Sequence, residues 1–391
     1  MNPPGIETPW ETEELLYDGD AFFDRVISEI DRAKLTVDLE TYIYVDDQIG
    51  KNIAAALVRA ANRGVQVRLI VDGIGASGWH ERHATALDKI GVHVRIYHPV
   101  LFFNLWSRIK VDLGLNRAEK SRGSALISRL NRRDHRKMSI IDNRIGFVGS
   151  VNVTADHSAK IRGLAAWRDM SVRVEGGPVT EMTQAFNDVW ERCHDASALP
   201  RWKERLTREK RPQHLYRFIR FNHTRKLRKA HYRSLLRRIS RAKHRVLITN
   251  PYFAPSRVLL QALKRAARNG ADVRILVPRH SDVFFMPWVV TAYYAIVLRN
   301  KARVFEYIPR ILHSKTAVID NWAVVGSSNF NRRSLVHDFE VDLVLSKPKT
   351  RDELVQSFET DLKDAQEVLN VRGGFTAWLG RMIAILLKNW I

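Results

Sequence analysis

Apolar side chains recur along the chain in helical and strand periods, and the same order of periods occurs twice. A stripe at i, i+3, i+4 and i+7 predicts a helix with one buried face. It is present at Phe23, Val26, Ile27 and Ile30 and again, 209 residues later, at Tyr232, Leu235, Leu236 and Ile239. Apolar segments at 35–44 and 244–253 follow the stripes and predict one strand in each half.

A second helix and a second strand follow in each half. The helices end at Gly64 and Gly270, and glycine is favoured just past a helix C-terminus because it adopts positive φ without strain. The next apolar segments, 65–73 and 271–279, predict the second strands. This order predicts an α/β protein built from two repeated layered domains.

The repeats and the segments between them suggest domain boundaries within the 391 residues. We expect a first repeat at 1–200 with an insertion at 100–133, a basic linker at 201–222, a second repeat at 223–371 and a C-terminal helix at 372–391. The N-terminus lacks the pattern of a secretory signal, and no apolar run approaches the roughly 20 residues of a membrane span. The single cysteine, Cys193, cannot form an internal disulfide, which fits a reducing compartment.

Positive charge is concentrated between the repeats. The formal net charge is +22, and residues 201–245 contain 18 Lys and Arg against two acids. Such a segment indicates a polyanionic partner, which is either nucleic acid or an anionic membrane surface.

Two apolar segments favour the membrane. The C-terminal stripe contains Phe375, Trp378 and Trp390 with cations beside it, which is typical of a helix lying in a bilayer interface, although a helix docked on the protein's own core fits too. The insertion holds Phe102, Phe103 and Trp106, and it is either a membrane-contacting loop, a lid or a packed excursion. We expect a peripheral protein that binds anionic phospholipid rather than nucleic acid.

The candidate chemistry is also duplicated. His135, Lys137 and Asp142 recur with the same spacing as His313, Lys315 and Asp320. Past a short apolar strand, each copy continues with Gly-Ser-x-Asn, which supplies Ser150 and Asn152 in the first half and Ser327 and Asn329 in the second. An acid follows in each half, Asp169 and Glu340.

These residue types suit phosphoryl transfer. A neutral imidazole can attack phosphorus while a second, protonated imidazole protonates the leaving alkoxide. The lysines can stabilise charge on the phosphoryl oxygens, so that no metal or other cofactor is expected. Ser150, Asn152, Ser327 and Asn329 are candidate donors to the same oxygens, and Asp169 and Glu340 are candidates for fixing the imidazole tautomers. Alternation along a strand predicts that His and Lys share one face.

The two motifs resemble the duplicated His-Lys-Asp signature of the phospholipase D superfamily over about residues 15–371. The resemblance implies a pseudo-twofold pair of mixed β-sheets flanked by helices, one shared active site and a phosphohistidine intermediate. By family precedent His135 would be the nucleophile and His313 the acid. One departure concerns Asp320, because Asp142 lies seven residues before its glycine and Asp320 only six.

Within the superfamily the chain is most similar to bacterial cardiolipin synthases of the short type without N-terminal transmembrane helices. The similarity rests on ETYIY at 40–44, NPYFAP at 250–255 and the first motif at 135–152. It implies transfer of a phosphatidyl group to phosphatidylglycerol, with phosphatidylglycerol or phosphatidylethanolamine as donor, at the cytoplasmic face of the inner membrane.

Three alternatives remain open at this stage. A plain phospholipase D hydrolase differs only in using water as acceptor, and a nuclease of the same superfamily would also suit the positive charge. A membrane-binding scaffold without activity is disfavoured, because binding alone does not require both imidazoles. The oligomeric state does not follow from the sequence.

Overall fold

The computed structural model describes residues 10–99, 132–195 and 218–369, together with Met382. The first half comprises β1 (Thr12–Leu16), α1 (Gly19–Arg32), β2 (Thr36–Thr41), α2 (Gln48–Asn62), β3 (Gln66–Asp72), α3 (Ser77–Lys89), β4 (Val92–Tyr97), β5 (Met138–Ile141), β6 (Ile145–Gly149), the single turn α4 (Ala159–Arg162), β7 (Ser171–Glu175), α5 (Val179–Trp190) and β8 (His194–Asp195). The second half comprises β9 (Ile219–Phe221), α6 (Arg225–Arg241), β10 (Arg245–Thr249), α7 (Arg257–Arg268), β11 (Asp272–Pro278), α8 (Met286–Leu298), β12 (Arg303–Tyr307), β13 (Thr316–Ile319), β14 (Trp322–Gly326), a π-helical turn (Arg333–His337), β15 (Val341–Leu345), α9 (Pro348–Lys363) and β16 (Ala365–Glu367).

Each half forms one eight-stranded mixed sheet, and the two sheets have equivalent strand orders. The first is β1-β7-β6-β5-β2-β3-β4-β8, and the second is β9-β15-β14-β13-β10-β11-β12-β16. In each, three neighbouring strands are parallel, namely β2-β3-β4 and β10-β11-β12, and all other pairs are antiparallel. The predicted fold of two repeated α/β units with mixed sheets is confirmed.

The repeated helix stripes form where the sequence places them. Asp18 caps α1 by accepting from the Ala21 N–H at 2.8 Å, and Thr224 caps α6 by accepting from the Leu227 N–H at 3.2 Å. Val26 and Ile30 on α1, like Ile239 on α6, are fully buried against the sheets. Gly64 and Gly270 have φ of +85° and +89°, so both helices end as predicted.

Three hydrophobic cores hold these layers together. Two of them are outer cores, one in each half, and each lies between the sheet of that half and its own outer helices. The third lies between the sheets and contains side chains from both halves, including Phe186 of α5 and Phe358 of α9. Because the halves share this central core, their sheets are fixed relative to each other.

Several predicted segments lie outside the described residues. These are most of the insertion with Phe102, Phe103 and Trp106, most of the linker, and the C-terminal helix with Phe375, Trp378 and Trp390. The last residues assigned to the linker instead form β9, which pairs with β15 at the sheet edge, so the second repeat extends further toward the N-terminus than predicted. Among the described residues, no helix has both the length and the apolar character needed to cross a bilayer.

Candidate active site

The predicted catalytic side chains converge at the end of the sheets where β2 and β10 finish and β5 and β13 begin. His135 and Lys137 lie just before β5, and His313 and Lys315 just before β13. The prediction that the strands themselves hold these residues is therefore wrong. Each histidine segment instead pairs by backbone hydrogen bonds with the other half. The His135 N–H donates to Phe339 O at 3.0 Å, and the His313 N–H donates to Arg168 O at 2.8 Å.

This pairing between the halves places the acid of each repeat, Asp169 or Glu340, beside the histidine of the other repeat. His135 Nδ1 lies 3.0 Å from Glu340 Oε2, and His313 Nδ1 lies 2.8 Å from Asp169 Oδ2. A carboxylate at Nδ1 fixes the tautomer with the proton on Nδ1 and leaves Nε2 as the reactive nitrogen. The two motifs therefore form one site, and neither half is complete without the other.

Both lysines are buried beside the imidazoles. Lys137 Nζ donates to His135 O at 2.8 Å, and Lys315 Nζ donates to His313 O at 2.6 Å. Lys315 Nζ also lies 2.9 Å from His313 Nε2. Each lysine therefore lies beside the histidine of its own motif.

Two tyrosines that the motif search missed cover the lysines. The ring of Tyr42 lies 5.3 Å from Lys137 Nζ, and that of Tyr252 lies 5.9 Å from Lys315 Nζ. Tyr42 also contacts the His135 ring at 4.9 Å between centroids. The sequence held a signal for both, since Tyr42 directly follows β2 and Tyr252 lies three residues after the end of β10.

Ser150 and Ser327 do not face the substrate position. Both are fully buried, and their hydroxyls donate to Asp169 and Glu340 respectively. Each also lies within hydrogen-bond range of a backbone carbonyl, Met170 O at 3.1 Å and Val341 O at 3.3 Å. Because both hydroxyls are engaged with the carboxylates and with backbone, the predicted phosphate binding by these serines is not supported by their placement.

The asparagines are also buried. Asn152 Oδ1 accepts from the Ile43 N–H at 3.2 Å, and Asn329 Nδ2 donates to Ser334 Oγ at 3.3 Å. Asn329 Oδ1 has no hydrogen-bond partner among the described residues. Phosphate binding by these amides remains a prediction.

His157 is a further site residue that the sequence motif did not reveal. It is fully buried, its Nδ1 lies 3.0 Å from Asp169 Oδ2, and its Nε2 accepts from the Asn152 N–H at 3.2 Å. The imidazoles of His157 and His313 therefore both face the carboxylate of Asp169. The second half places Ser334 five residues after its asparagine, as His157 follows Asn152, and the Ser334 hydroxyl bonds to Glu340.

The donor atoms of His157, Asp169 and His313 lie within 4.8 Å of one another, a spacing that a metal ion could use. Both imidazoles approach the same carboxylate oxygen at 2.8–3.0 Å. The His313 contact is a hydrogen bond, whereas the His157 contact is an ion-pair distance without hydrogen-bond geometry.

Asp142 and Asp320 lie away from this cluster. Asp142 accepts from the N–H groups of Leu35 and Thr36 at 2.7 and 3.0 Å, in the turn before β2. Asp320 accepts from His244 and Arg245 at 2.9 and 3.0 Å before β10. Because β5 runs antiparallel to β2, four strand residues at about 3.3 Å each, roughly 13 Å, separate these carboxylates from the site. Their predicted catalytic role is not supported by this placement, and the shorter turn at Asp320 leaves its contacts unchanged.

Burial and mutual repulsion set the charges. Burial, helped by Lys315, lowers the pKa of His313 to about 3, and burial with Lys137 and Lys315 lowers the pKa of His135 well below its usual value. Burial also lowers the pKa of Lys137 to about 7 and that of Lys315 to about 8. The free site thus holds neutral imidazoles beside two lysines, which lose their charge as pH rises through about 7 for Lys137 and about 8 for Lys315.

The two carboxylates are not equivalent. Burial would raise the pKa of Asp169, but the facing imidazoles of His313 and His157 outweigh it and hold that pKa well below the usual value. Burial raises the pKa of Glu340 well above its usual value, and Lys137 only partly opposes this. The histidine of the second half therefore faces the more firmly ionised acid.

Comparison with known proteins identifies the family of the chain. A family model described as "Cardiolipin synthase, PLD-like domain" matches residues 26–190 and 235–362. Cardiolipin synthase B of Salmonella typhi is 32% identical over 90% of this chain and 82% of its own length. The major cardiolipin synthase of Bacillus subtilis (strain 168) is 29% identical over 93% of this chain and 71% of its own.

Solved structures share the fold. Phosphatidylserine synthase of Haemophilus influenzae superposes with a TM-score of 0.71 at 13% identity, covering 97% of this chain and 94% of its own. Two phospholipase D-like repeats, with one site between them, define the class of protein. The chain belongs to the cardiolipin synthase family of phospholipase D-like enzymes.

Proposed function

We propose that the protein is a cardiolipin synthase that transfers a phosphatidyl group to phosphatidylglycerol through a phosphohistidine. The observation that carries the proposal is the crossed arrangement of His135 with Glu340 and His313 with Asp169 around two buried lysines. One phosphodiester bound between the imidazoles would meet a nucleophile on one side and a proton donor on the other.

In the first step His135 Nε2 attacks phosphorus and forms an N–P bond. The bond from phosphorus to the headgroup oxygen breaks, and His313 gives its proton to the leaving glycerol or ethanolamine alkoxide. We assign His135 as nucleophile from the family resemblance. Its side chain is also the more accessible of the two, 14% against 4% exposed.

In the second step the primary hydroxyl of phosphatidylglycerol loses its proton to neutral His313. Its oxygen attacks phosphorus, and the N–P bond breaks to release cardiolipin and free His135. His313 must be protonated in the first step, although its pKa in the empty site is about 3. A bound phosphodiester anion favours the imidazolium and offsets the neighbouring ammonium groups, so substrate binding raises this pKa.

The substrates define where the protein works. Phosphatidylglycerol and phosphatidylethanolamine reside in bilayers, and a chain with net charge +22 is attracted to an anionic surface. We therefore place the protein peripherally on the cytoplasmic face of the bacterial inner membrane.

A product assay tests the proposal. Purified protein with phosphatidylglycerol vesicles should release glycerol and form cardiolipin, and His135→Ala and His313→Ala should each abolish turnover. His93→Ala is the matched control, since that imidazole is 58% exposed and away from the site, and it should retain full activity.

Other products would redirect the assignment. Phosphatidic acid without cardiolipin would identify a hydrolase, and cleavage of DNA without lipid turnover would identify a nuclease. Full activity in either histidine variant would contradict a shared site.

A further inference from the structure

We infer that the rim of loops around the site is a bilayer-docking surface with Leu164 and Phe284 at its tips, which enter the interface of an anionic membrane. Resting on the proposed function, this names the surface through which the site meets its lipid. The one occupant we assign to this surface is a lipid bilayer that contains phosphatidylglycerol.

The two tips are the most exposed large apolar side chains among the described residues. Leu164 is 94% exposed and Phe284 80%. Leu164 lies three residues before Trp167, whose ring is 5.1 Å from that of His313. Phe284 lies two residues after Asp282, which accepts from the hydroxyl of Tyr252 at 2.7 Å, and Tyr252 in turn contacts His313. Both tips therefore lie within a few residues of side chains that contact His313 or hydrogen-bond to one that does.

The equivalent loops of the opposite repeats also expose apolar side chains, which are smaller and less exposed. Val336 lies between Asn329 and Glu340, as Leu164 lies between Asn152 and Asp169, and it is 45% exposed. Ile74 follows β3, as Phe284 follows β11, and it is 46% exposed. Each of these four loops thus presents an apolar side chain at the end of the molecule where the site lies.

The neighbouring helices fit a charged lipid surface. α8 follows Phe284, contains no charged residue, and leaves Ile296 43% exposed, whereas its counterpart α3 contains both acids and bases. α6 contacts the π-helical turn that bears Val336, has no acidic residue, and exposes Arg225, Lys226, Lys229 and Arg233. Apolar tips beside a basic helix are the pattern of an interfacial binding surface.

The chemistry requires such a surface. A diacyl phospholipid keeps its chains in the bilayer while its phosphate must reach imidazoles that are nearly buried. A site opening that stood away from the membrane would require complete extraction of the lipid, which exposes apolar chains to water. Apolar tips at the rim bring the headgroup layer to the site instead.

Site-specific labelling tests the inference. In the Cys193→Ser background, single cysteines at Leu164→Cys, Phe284→Cys and Leu35→Cys would carry an environment-sensitive dye. Leu35 is the matched control, because it is 69% exposed but lies beside Asp142 at the opposite end of the sheet. Vesicles of phosphatidylglycerol and phosphatidylcholine should shift the dye at 164 and 284 to an apolar environment and leave the dye at 35 unchanged.

A second comparison measures the consequence. Leu164→Ser combined with Phe284→Ser should weaken vesicle binding by about a hundredfold or more, because two large apolar side chains no longer leave water. Activity on detergent-dispersed phosphatidylglycerol should remain, and Leu35→Ser should bind as the wild-type chain does.

The surface assignment is overturned if the wild-type chain sediments with vesicles while the dyes at 164 and 284 do not respond, or if the dye at 35 responds equally. These readouts do not depend on turnover. A chain that docks through 164 and 284 but forms no cardiolipin would refute the proposed reaction only, and a chain that forms cardiolipin without the dye response would refute the surface only.

Discussion

Lys137 and Lys315 sit in the protein at a cost that depends on pH. Each lysine residue is 3% exposed, and burial lowers the ammonium pKa from 10.5 to about 7 for Lys137 and to about 8 for Lys315. The positive charge that the phosphoryl oxygens need is therefore present in the free site only up to mildly alkaline pH.

This predicts a fall in kcat/KM as pH rises through about 7 to 8, because kcat/KM reports ionisation of the free enzyme. Lys137→Arg keeps a charge throughout this range. In that variant, whatever activity remains should no longer show the decrease in kcat/KM that deprotonation of Lys137 causes. Measuring cardiolipin formation against pH at low substrate checks this, and an unchanged alkaline limb in the arginine variant would contradict it.

Stability should change in the opposite direction over the same range. Between the folded and unfolded pKa values the unfolded chain binds more protons at these lysines, so the free energy of unfolding rises with pH. We expect a gain on the order of 1–3 kcal/mol from pH 7 to 9. Lys137→Met removes one titrating group and should flatten the rise measured by denaturant unfolding.

His157 is predicted to position His313 through Asp169. His157→Ala removes one of the two imidazoles that face a buried carboxylate, so the pKa of Asp169 should rise and the hold on the His313 tautomer should weaken. We expect kcat to fall by about 10- to 100-fold with little change in KM, by analogy with residues that orient catalytic groups.

The pH profile distinguishes positioning from a purely structural loss. His157→Ala should move the acidic limb of kcat, and His157→Gln, which can still donate to Asp169, should restore part of the rate. A variant that loses stability while its pH profile and kcat stay unchanged would contradict the positioning role.

At the level of single residues, spacing pointed to candidate reacting groups but not to their partners. His135, Lys137, His313 and Lys315 stand out in the sequence because two copies of one spacing are hard to produce by chance, and the structure places them close together. His157 was missed because its counterpart is Ser334, so the duplication offered no second copy. Ser150 and Ser327 were misassigned because sequence distance does not show that a hydroxyl points toward the carboxylate behind the histidine.

At the level of elements, Asp142 and Asp320 tie the turn before β2 or β10 to the end of β5 or β13. Each carboxylate accepts backbone N–H groups, and both residues have positive φ, 50° and 51°, in their turns. We propose that both are structural, since a carboxylate that accepts several N–H groups holds the ends of two strands together.

Asp142→Ala and Asp320→Ala should therefore lower the free energy of unfolding by about 1–3 kcal/mol each and leave kcat within about twofold at temperatures where the variants remain folded. Denaturant unfolding and cardiolipin assays on the same preparations check both parts. His135→Ala provides the opposite control, because it should abolish turnover with little effect on unfolding. Loss of turnover in a stably folded Asp142→Ala would restore a catalytic role.

The strands and helices of the repeats followed from periodicity because each has a clear apolar face. The pairing between the halves did not follow from periodicity. It depends on two backbone bridges, Asp134 with Phe339 and Arg168 with Leu312, whose residues lie about 205 and 144 positions apart in the sequence. Periodicity reports the face that an element buries, and carries no information on which distant segment covers it. The pairing of His135 with Glu340 and of His313 with Asp169 became visible only in three dimensions.

For the whole molecule, the central core predicts that the halves unfold together. Phe186 of α5 is fully buried in that core, and α5 contacts β9 of the second half. Phe186→Ala should lower the free energy of unfolding by about 3–5 kcal/mol. The loss should reach both sheets, since removing packing from a shared core destabilises everything that rests on it.

Hydrogen exchange can measure this half by half. The amides of β2 and β3 and those of β10 and β11 should lose protection by the same free energy in Phe186→Ala. Phe23→Ala is the matched comparison, because Phe23 lies in the outer core of the first half, where local opening of α1 can occur without the second sheet. If Phe186→Ala left β10 and β11 fully protected, the halves would be independent folding units, and the crossed carboxylates would join two domains instead of completing one.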